Sequence, residues 1–334
     1  MDVREWVVQD FSAGYKSLCL QECDLPEPGP GEVRLKVEAF ALNWGDMDLM
    51  EDRYTFSFEQ LPARVGMEAA GIVDKLGPGV EDVELGSRYC TLPYYYYNKG
   101  ASADYITIAP AYLTKAPDGL SAVESASIWM QYLTAYFPLV AVSAIGPNTN
   151  LLVSAATSTA GSAALEIGRI CGANVVGTSR SDHNSRYLHD AGATAVCISS
   201  QADFTEQLRQ ASGGRGFDVV FDAVGGSVMR EYAQVLARDS RIYFYGFLEG
   251  DFPEVPFIEM LGANASFHPY SLFNYVENRA LCEQGKAFVY DHIQRGTLRP
   301  NIDKVFPMTG FIEAWDYMRS SRTSHGKVLI KNDL

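Results

Sequence analysis

Short apolar segments alternate with helix-like segments through the middle of the chain, between residues 151 and 247. The apolar segments are LLVSAA (151–156), NVVGTS (174–179), TAVCIS (194–199), FDVVFDAV (217–224) and RIYFYGF (241–247). Strands that alternate with helices at this pitch are typical of parallel strands joined by crossover helices. The sequence therefore predicts an α/β fold with a doubly wound parallel sheet in this region.

The first 116 residues have a different pattern. Residues 32–41 (EVRLKVEAFA) alternate apolar and polar side chains, as a half-buried strand does, and residues 67–76 (MEAAGIVDKL) form a second strand candidate. Gly and Pro residues mark turns beside both segments. A helix start is indicated only at Ser121, because Glu124 follows three residues later with the spacing of a capping box. The chain should therefore begin with a β-rich region.

Length and charge restrict the class of protein. The 334 residues suffice for two domains, and the formal net charge of −14 disfavours binding to nucleic acid or to anionic membranes. The N-terminus lacks a secretory signal pattern, and no apolar stretch approaches the length of a membrane-spanning helix. The six cysteines show neither a C-x-x-C pair nor a framework-like spacing. These features favour a cytoplasmic protein with reduced thiols.

A turn of small residues joins an apolar strand to a helix in LLVSAATSTAGSAA. Small side chains let the backbone approach a pyrophosphate, which the amides at the helix N-terminus can bind. The usual G-x-G-x-x-G pattern is degraded: Gly161 is the one glycine of the turn, and Ala155 and Ser158 are small residues that precede it. The pattern favours dinucleotide binding by Ser158, Thr159, Ala160 and Gly161; the alternative is a tight turn that binds nothing.

The next strand ends at Ser179 and Arg180, where NAD-selective sites usually carry Asp or Glu. A carboxylate would repel a ribose 2′-phosphate, whereas a guanidinium can pair with it. This strand end therefore favours NADPH (NADP+) over NADH, and Asn184 is a further candidate for cofactor binding. A solvated surface arginine is the alternative.

The order of these motifs resembles that of the medium-chain dehydrogenase/reductase superfamily, and most of all its zinc-independent quinone oxidoreductases and enoyl reductases. Further motifs of the resemblance are NWGD (43–46), VGMEAAG (65–71), MQYLTAY (130–136) and the terminal GKVLI (326–330). Together they cover nearly the whole chain.

The resemblance implies two domains. Residues 1–122 and 273–334 would form a GroES-like β-rich catalytic and substrate domain, and residues 123–272 a Rossmann dinucleotide-binding domain. The active site is expected in the cleft between them. A strand-like segment at residues 257–267 is expected at the edge of the Rossmann sheet, where relatives pair across a homodimer.

A catalytic zinc is not expected. Asn43 and Met67 stand at the positions that resemble the family's zinc-binding Cys and His. All five histidines lie at residue 183 or later, and only Cys90 lies near the expected structural zinc lobe. The sequence therefore predicts catalysis without a metal ion.

The resemblance assigns five side chains to the space around the nicotinamide: Asn43, Asp46, Tyr54, Gln131 and Thr134. The best candidate for a proton donor or oxyanion hydrogen bond is Tyr54, since a phenol can serve as either; packing in an aromatic loop is its alternative. The Asn43 amide is expected to orient cofactor or substrate, and Asp46 either contributes directly or caps the turn after a strand.

Backbone segments after two strands are also expected to contact the nicotinamide carboxamide, namely Ala223, Val224, Gly246, Phe247 and Leu248. His268 could reach the substrate or be packed in apolar surroundings. Aromatic residues in loops 51–60 and 94–100 suggest a bulky or planar apolar substrate, although surface packing would explain them too.

Three functions are compatible with these features. The leading one is an NADPH-dependent, metal-free reductase that transfers hydride to an activated double bond of an α,β-unsaturated carbonyl or a quinone. A family member with weakened catalysis that acts as a nucleotide-binding or interaction protein is the second. A ketone or aldehyde reductase is the third.

Overall fold

The structure is a computed structural model that describes residues 2–94, 99–250, 254–320 and 324–333. The chain divides into two compact units, one of residues 1–130 with 300–334 and the other of residues 131–299. Residues 273–299 thus lie in the second unit, whereas the sequence analysis assigned them to the first. Close packing explains the difference, because a Cβ built on Gly285 would lie 2.8 Å from the Leu133 side chain.

The strands formed by the described residues are β1 (Asp2–Val8), β2 (Leu18–Asp24), β3 (Val33–Ala41), β4 (Ala63–Arg64), β5 (Ala69–Leu76), β6 (Arg88–Thr91), β7 (Tyr105–Ile108), β8 (Leu113–Lys115), β9 (Asn150–Val153), β10 (Asn174–Ser179), β11 (Ala195–Ile198), β12 (Phe217–Asp222), β13 (Leu236–Phe244), β14 (Ser266–Pro269), β15 (Ile302–Pro307) and β16 (Lys327–Lys331).

The α-helices in the same part of the chain are α1 (Trp44–Met50), α2 (Ala122–Ser125), α3 (Trp129–Tyr136), α4 (Thr159–Ile170), α5 (Ser185–Ala191), α6 (Phe204–Ala211), α7 (Gly226–Ala233), α8 (Phe257–Ala263), α9 (Phe273–Val276), α10 (Arg279–Gln294) and α11 (Phe311–Arg319). A π-helix at Phe137–Val142 follows α3. None of the helices within the described ranges is both long and apolar enough to cross a bilayer.

The first unit is built on a seven-stranded sheet in the order β15-β16-β3-β5-β6-β8, with β7 also paired to β3. Strand β3 lies at its centre, and its residues Val33, Leu35 and Val37 are fully buried. Antiparallel register places the end of β3 beside the starts of β5 and β16, with Phe40 opposite Ala69 and Ala41 opposite Leu329. Residues that flank these three strand ends therefore share one edge of the sheet.

The second unit contains six parallel strands in the order β11-β10-β9-β12-β13-β14, which confirms the predicted doubly wound sheet. The chain order reverses between β9 and β12, the place where such sheets bind ligands beyond their carboxyl ends. The apolar core around this sheet includes Leu152, Val176, Val220 and Ile242.

Two local expectations had different outcomes. The capping box at Ser121 is confirmed, because the Glu124 backbone N–H donates to the Ser121 Oγ at 3.3 Å. The prediction of a strand-like segment from residue 257 is wrong for 257–263, which form α8. Asn264 ends that helix in the left-handed conformation (φ 52°), and the edge strand β14 follows at Ser266.

Candidate active site

Three side chains meet at the shared edge of the first unit's sheet. Asn43 follows β3, Glu68 precedes β5, and Lys327 begins β16. Backbone hydrogen bonds join the same segments, from Leu42 N to the Val328 carbonyl (3.0 Å) and from Ala41 N to the Glu68 carbonyl (3.3 Å). The convergence is thus a consequence of strand order and register.

These side chains form a buried charged cluster. The Lys327 ammonium and the Glu68 carboxylate are each 1% exposed, and Nζ lies 2.5 Å from Oε1. Lys327 Nζ also donates to Asn43 Oδ1 at 2.5 Å, and Asn43 Nδ2 donates to Glu68 Oε1 at 3.3 Å. The second carboxylate oxygen accepts the Met130 backbone N–H at 3.0 Å. Pairing and hydrogen bonds thus compensate for the cost of burying two charges.

Asp46 lies beside this cluster in the first turn of α1. Its Oδ2 accepts the Asn43 backbone N–H at 3.0 Å, so the expected capping role is present. Its Oδ1 is buried and has no hydrogen-bond partner among the described residues. Burial raises the pKa of this carboxyl to about 7, against the lowering effects of the Asn43 backbone hydrogen bond and of the Lys327 charge. Asp46 therefore holds a proton for part of the time at neutral pH.

Tyr54 packs against the start of the same helix. A Cβ built on Gly45 would lie 3.1 Å from the Tyr54 hydroxyl oxygen, and the ring contacts Phe56 edge to face at 5.0 Å. Burial, followed by the charges of Asp46 and Asp48, raises the pKa of the phenol. Tyr54 therefore keeps its proton at neutral pH and can act as a hydrogen-bond donor.

The side chains at this edge do not fit a catalytic zinc. Zinc is held by thiolates, imidazoles and carboxylates, whereas Asn43 and Met67 provide none of these. The Lys327 ammonium also donates to the two oxygens that Asn43 and Glu68 could offer, and this fixed cation would repel Zn²⁺. Throughout the described ranges, no group of three His, Cys, Asp or Glu side chains could hold a metal ion.

In the second unit, the turn before α4 has the geometry of a dinucleotide turn. Ser158 caps the helix by accepting the Gly161 backbone N–H at 3.0 Å. Ala155 has φ 45°, a conformation that favours glycine. A Cβ on Gly161 would lie 2.5 Å from the Ala155 carbonyl oxygen, so this position requires glycine. Thr159 and Ala160 begin the helix, where the first amides have no acceptor within the helix itself.

The end of β10 is organised by Ser179. Asn184 Nδ2 donates to Ser179 Oγ at 3.0 Å, and this hydroxyl donates to the Ser181 carbonyl at 2.8 Å. Arg180 is exposed and forms no ion pair with any residue that the structure describes. Its guanidinium is therefore available to an anionic ligand.

A buried carboxylate shapes the loop after β12. Asp222 accepts hydrogen bonds from the Ser154 hydroxyl, from the backbone N–H groups of Val224 (2.8 Å) and Gly225 (3.2 Å), and from the Tyr232 hydroxyl (2.8 Å). The Ala223 backbone N–H donates to Ser154 Oγ at 2.9 Å. These bonds hold the loop that is expected to contact a nicotinamide.

The loop after β13 is hydrogen-bonded to the loop after β12. The Leu248 backbone N–H donates to the Ala223 carbonyl at 3.1 Å, and a Cβ on Gly246 would lie 3.0 Å from the same oxygen. Phe247 and Leu248 are exposed. The two predicted nicotinamide-binding loops therefore pack against each other.

The helix N-terminus supports the fit of a dinucleotide to this unit. Tyr245 stacks on Phe221 with ring centroids 4.1 Å apart, and its buried hydroxyl lies beside Ser158. A capped helix N-terminus and a glycine packed against the backbone of the preceding turn fit a bound pyrophosphate.

The remaining predicted residues are placed as follows. Gln131 and Thr134 are buried in α3 of the second unit, whereas Asn43, Asp46 and Tyr54 lie in the first. In the single chain His268 is exposed on β14, with its ring edge to face against Tyr243 at a centroid distance of 5.7 Å.

A small pocket in the first unit is lined mainly by apolar side chains. They include Leu49, Phe56, Phe58, Met67 and Tyr94. The aromatic loop 51–60 therefore contributes to a concave surface. Residues 95–98 of the second aromatic loop lie outside the described residues.

The sequence analysis missed three polar residues. Glu68 is the only charge among small and apolar residues in VGMEAAG, and Lys327 opens a strand whose next three residues are buried. A single charged residue among apolar residues indicates a buried ion pair. The local sequence does not identify the partner in that pair. Tyr245 was treated as part of a strand and not as a ligand group.

Known protein families match both units. The alcohol dehydrogenase GroES-like domain family matches residues 29–118, and the zinc-binding dehydrogenase family matches residues 160–277. A 2-haloacrylate reductase from Burkholderia is 29% identical over 317 residues, covering 93% of this chain and 94% of that protein. Quinone oxidoreductase-like protein 2 from Bos taurus is 28% identical, covering 94% and 89%.

A solved mycobacterial structure in complex with NADPH has the same fold. It superposes with a TM-score of 0.88 over 98% of this chain and 99% of the other, at 23% identity.

Proposed function

The chain belongs to the medium-chain dehydrogenase/reductase superfamily, in its quinone oxidoreductase and enoyl reductase branch, and from this premise we propose that it is a metal-free reductase that uses NADPH. Its substrate is an activated double bond, in an α,β-unsaturated carbonyl compound or a quinone. Membership of this superfamily makes it an oxidoreductase with a nicotinamide cofactor; the choice of NADPH and the substrate class are the proposal.

The residues at the end of β10 support the proposal that the cofactor is NADPH. Arg180 is exposed without an ion-pair partner among the described residues, and Ser179 is held by Asn184. No carboxylate occupies the position that would accept the ribose hydroxyls of NADH and repel a 2′-phosphate. A guanidinium at this place pairs with the phosphate through two hydrogen bonds.

The buried cluster of the first unit supports the proposal for the reaction. NADPH, when bound, supplies a hydride. The Asn43 amide and the protonated Tyr54 phenol are donors that can bind a substrate oxygen as it gains negative charge. The apolar side chains of Phe56 and Met67 line a small concave surface in the same unit. The name of the Burkholderia relative describes a reductase of an activated carbon–carbon double bond.

Titration of the purified protein with NADPH and NADH, followed by fluorescence, tests the cofactor. We expect NADPH to bind at least about tenfold more tightly, a difference of about 1.4 kcal/mol. Arg180→Ala should lose most of this preference. Arg186→Ala removes a fully exposed arginine of α5 and should leave the preference unchanged.

A panel of enones and quinones tests the reaction by oxidation of NADPH. Turnover with at least one class supports the proposal. A protein that binds NADPH and oxidises it with no member of a broad panel is instead a nucleotide-binding protein. Turnover with saturated ketones or aldehydes alone would indicate a carbonyl reductase.

A further inference from the structure

The proposed reduction places negative charge on an oxygen of the substrate, and this inference rests on that proposed function. As the substrate gains a hydride at carbon, its π electrons move to the conjugated oxygen, NADPH becomes NADP+, and a proton from solvent completes the reduction. The oxygen therefore needs a hydrogen-bond donor or a cation during hydride transfer. In the first unit, a buried ammonium lies next to the Asn43 amide.

The contacts of the Asn43 amide determine its orientation. An ammonium can only donate, so the atom that faces Lys327 Nζ at 2.5 Å must be the amide oxygen. An ionised carboxylate can only accept, so the atom that faces Glu68 Oε1 at 3.3 Å must be the amide nitrogen. The amide cannot turn over without losing both bonds. One of its two N–H groups is used by Glu68; the other forms no hydrogen bond of ordinary length with a described residue, and the Asp46 carboxyl is its nearest charged neighbour apart from the cluster.

The ammonium also changes the strength of this remaining donor. A cation on the oxygen of an amide draws electron density from its nitrogen and makes the N–H a stronger donor. The carboxylate has the opposite effect, but its contact with the amide is longer than that of the ammonium. Lys327 itself is 1% exposed and cannot reach a substrate. Its nearest partly exposed hydrogen-bond partner is Asn43, through which its charge can act on a substrate.

We propose that the second Nδ2–H of Asn43, polarised by the buried ammonium of Lys327, donates to the substrate oxygen that gains charge. Asn43 is then a catalytic residue, while Lys327 and Glu68 are positioning residues that orient and polarise it. The ammonium thus acts on the substrate oxygen through the Asn43 amide. In this chain, whose side chains do not fit a zinc ion, it supplies positive charge near that oxygen.

The test uses ligands that imitate the charged oxygen and does not depend on turnover. The protein with bound NADP+ is titrated with 4-nitrophenolate and with 4-nitroanisole, which has a similar ring but carries no charge. We expect the wild type to bind the phenolate at least about tenfold more tightly than the anisole, as a charge-assisted hydrogen bond should.

The key variant removes the ammonium without leaving a buried charge. Lys327→Met alone would strand the Glu68 carboxylate, so it is combined with Glu68→Gln. This double variant should bind the phenolate no more than about threefold better than the anisole. Lys327→Arg should keep the preference, and Lys115→Met, at an exposed lysine paired with Glu84, should not alter it.

Thermal melting and the Kd for NADPH show whether each variant is folded. Should the double variant not fold, Asn43→Ala removes the donor directly and should abolish the preference. The inference is overturned if the wild type shows no preference for the phenolate, or if the preference survives in the folded double variant or in Asn43→Ala. Turnover of the enone and quinone panel tests the proposed function separately from this inference, because phenolate binding needs no hydride transfer.

Discussion

At the scale of single residues, the surroundings of Asp46 bring its titration into the neutral range. It is buried, one of its oxygens has no hydrogen-bond partner among the described residues, and its pKa is raised to about 7. An unpaired buried carboxylate is costly when ionised. The residue is therefore a better guide to the pH dependence of the protein than the exposed carboxylates.

Asp46 should make the protein less stable as the pH rises. Its pKa is about 7 in the folded state and about 3.9 in an unfolded chain, so between these values the folded state binds more protons. The free energy of unfolding therefore falls from pH 4 towards pH 8. Asp46→Asn keeps an oxygen for the Asn43 N–H and removes the charge, so it should be more stable than the wild type by about 2–4 kcal/mol at pH 8.

Urea unfolding of both proteins at several pH values measures this effect. The two stabilities should converge below about pH 3, where Asp46 is protonated in both the folded and the unfolded state. Glu166, whose pKa burial also raises to about 7, is present in both proteins and cancels in the difference. A difference that does not change with pH would mean that Asp46 does not titrate in this range.

At the scale of elements, the turn before α4 contains two residues whose backbone geometry restricts substitution. Ala155 adopts a conformation that costs an L-residue roughly 1–2 kcal/mol, and Gly161 lies against the backbone of the turn. The helix N-terminus keeps its side-chain cap at Ser158. A turn with one glycine therefore combines a left-handed Ala155 with a capped helix N-terminus.

Gly161→Ala should damage both stability and cofactor binding. The new Cβ would lie 2.5 Å from the Ala155 oxygen and 2.8 Å from the Ala156 Cα, and backbone atoms cannot move aside as a flexible side chain can. We expect a loss of about 1–3 kcal/mol in the free energy of unfolding, together with weaker NADPH binding.

Gly146→Ala is the matched control, because a Cβ there meets no atom within 4 Å and the backbone does not need glycine. Its stability should be unchanged or raised by up to about 1 kcal/mol. Thermal or urea unfolding measures the stability of both variants, and a fluorescence titration measures their NADPH binding. Equal effects at the two glycines would contradict the role assigned to the turn.

At the scale of the whole molecule, one apolar surface of the second unit has no partner in the part of the chain that the structure describes. Helix α8 exposes Phe257 (68%), Ile258 (74%) and Leu261 (66%). The strand that follows, β14, is the last in its sheet in the part of the chain that the structure describes. An open strand edge beside exposed apolar side chains favours pairing with a second copy.

We expect a homodimer that forms through this surface. Ile258→Asp with Leu261→Asp should convert it to a monomer, because two charges would be buried without partners at the interface. Leu85→Asp changes a similarly exposed leucine of the first unit and should leave the dimer intact. Sedimentation velocity measures the mass of each protein. A wild type that sediments as a monomer, or a double variant that stays dimeric, would contradict this prediction.

The sequence by itself determined the class of fold and the family. Strand and helix periodicity, the capping box at Ser121 and the small-residue turn at Gly161 are local patterns, and local backbone preferences suffice to interpret them. The exposed arginine at the end of β10 was also found in this way, since its place follows from counting along the chain. Helix α8 was missed, because residues 257–267 were predicted to be strand-like and the helix ends at Asn264, not at a glycine.

Only the tertiary structure decided which side chains meet. Lys327 and Asn43 are 284 residues apart, and their hydrogen bond exists because β16 and β3 are neighbours in one register. The raised pKa of Asp46 depends on burial, and the assignment of residues 273–299 depends on the packing of α10 against α3. Strand order, burial and long-range packing are properties of the folded chain as a whole, so no local pattern of residues contains them.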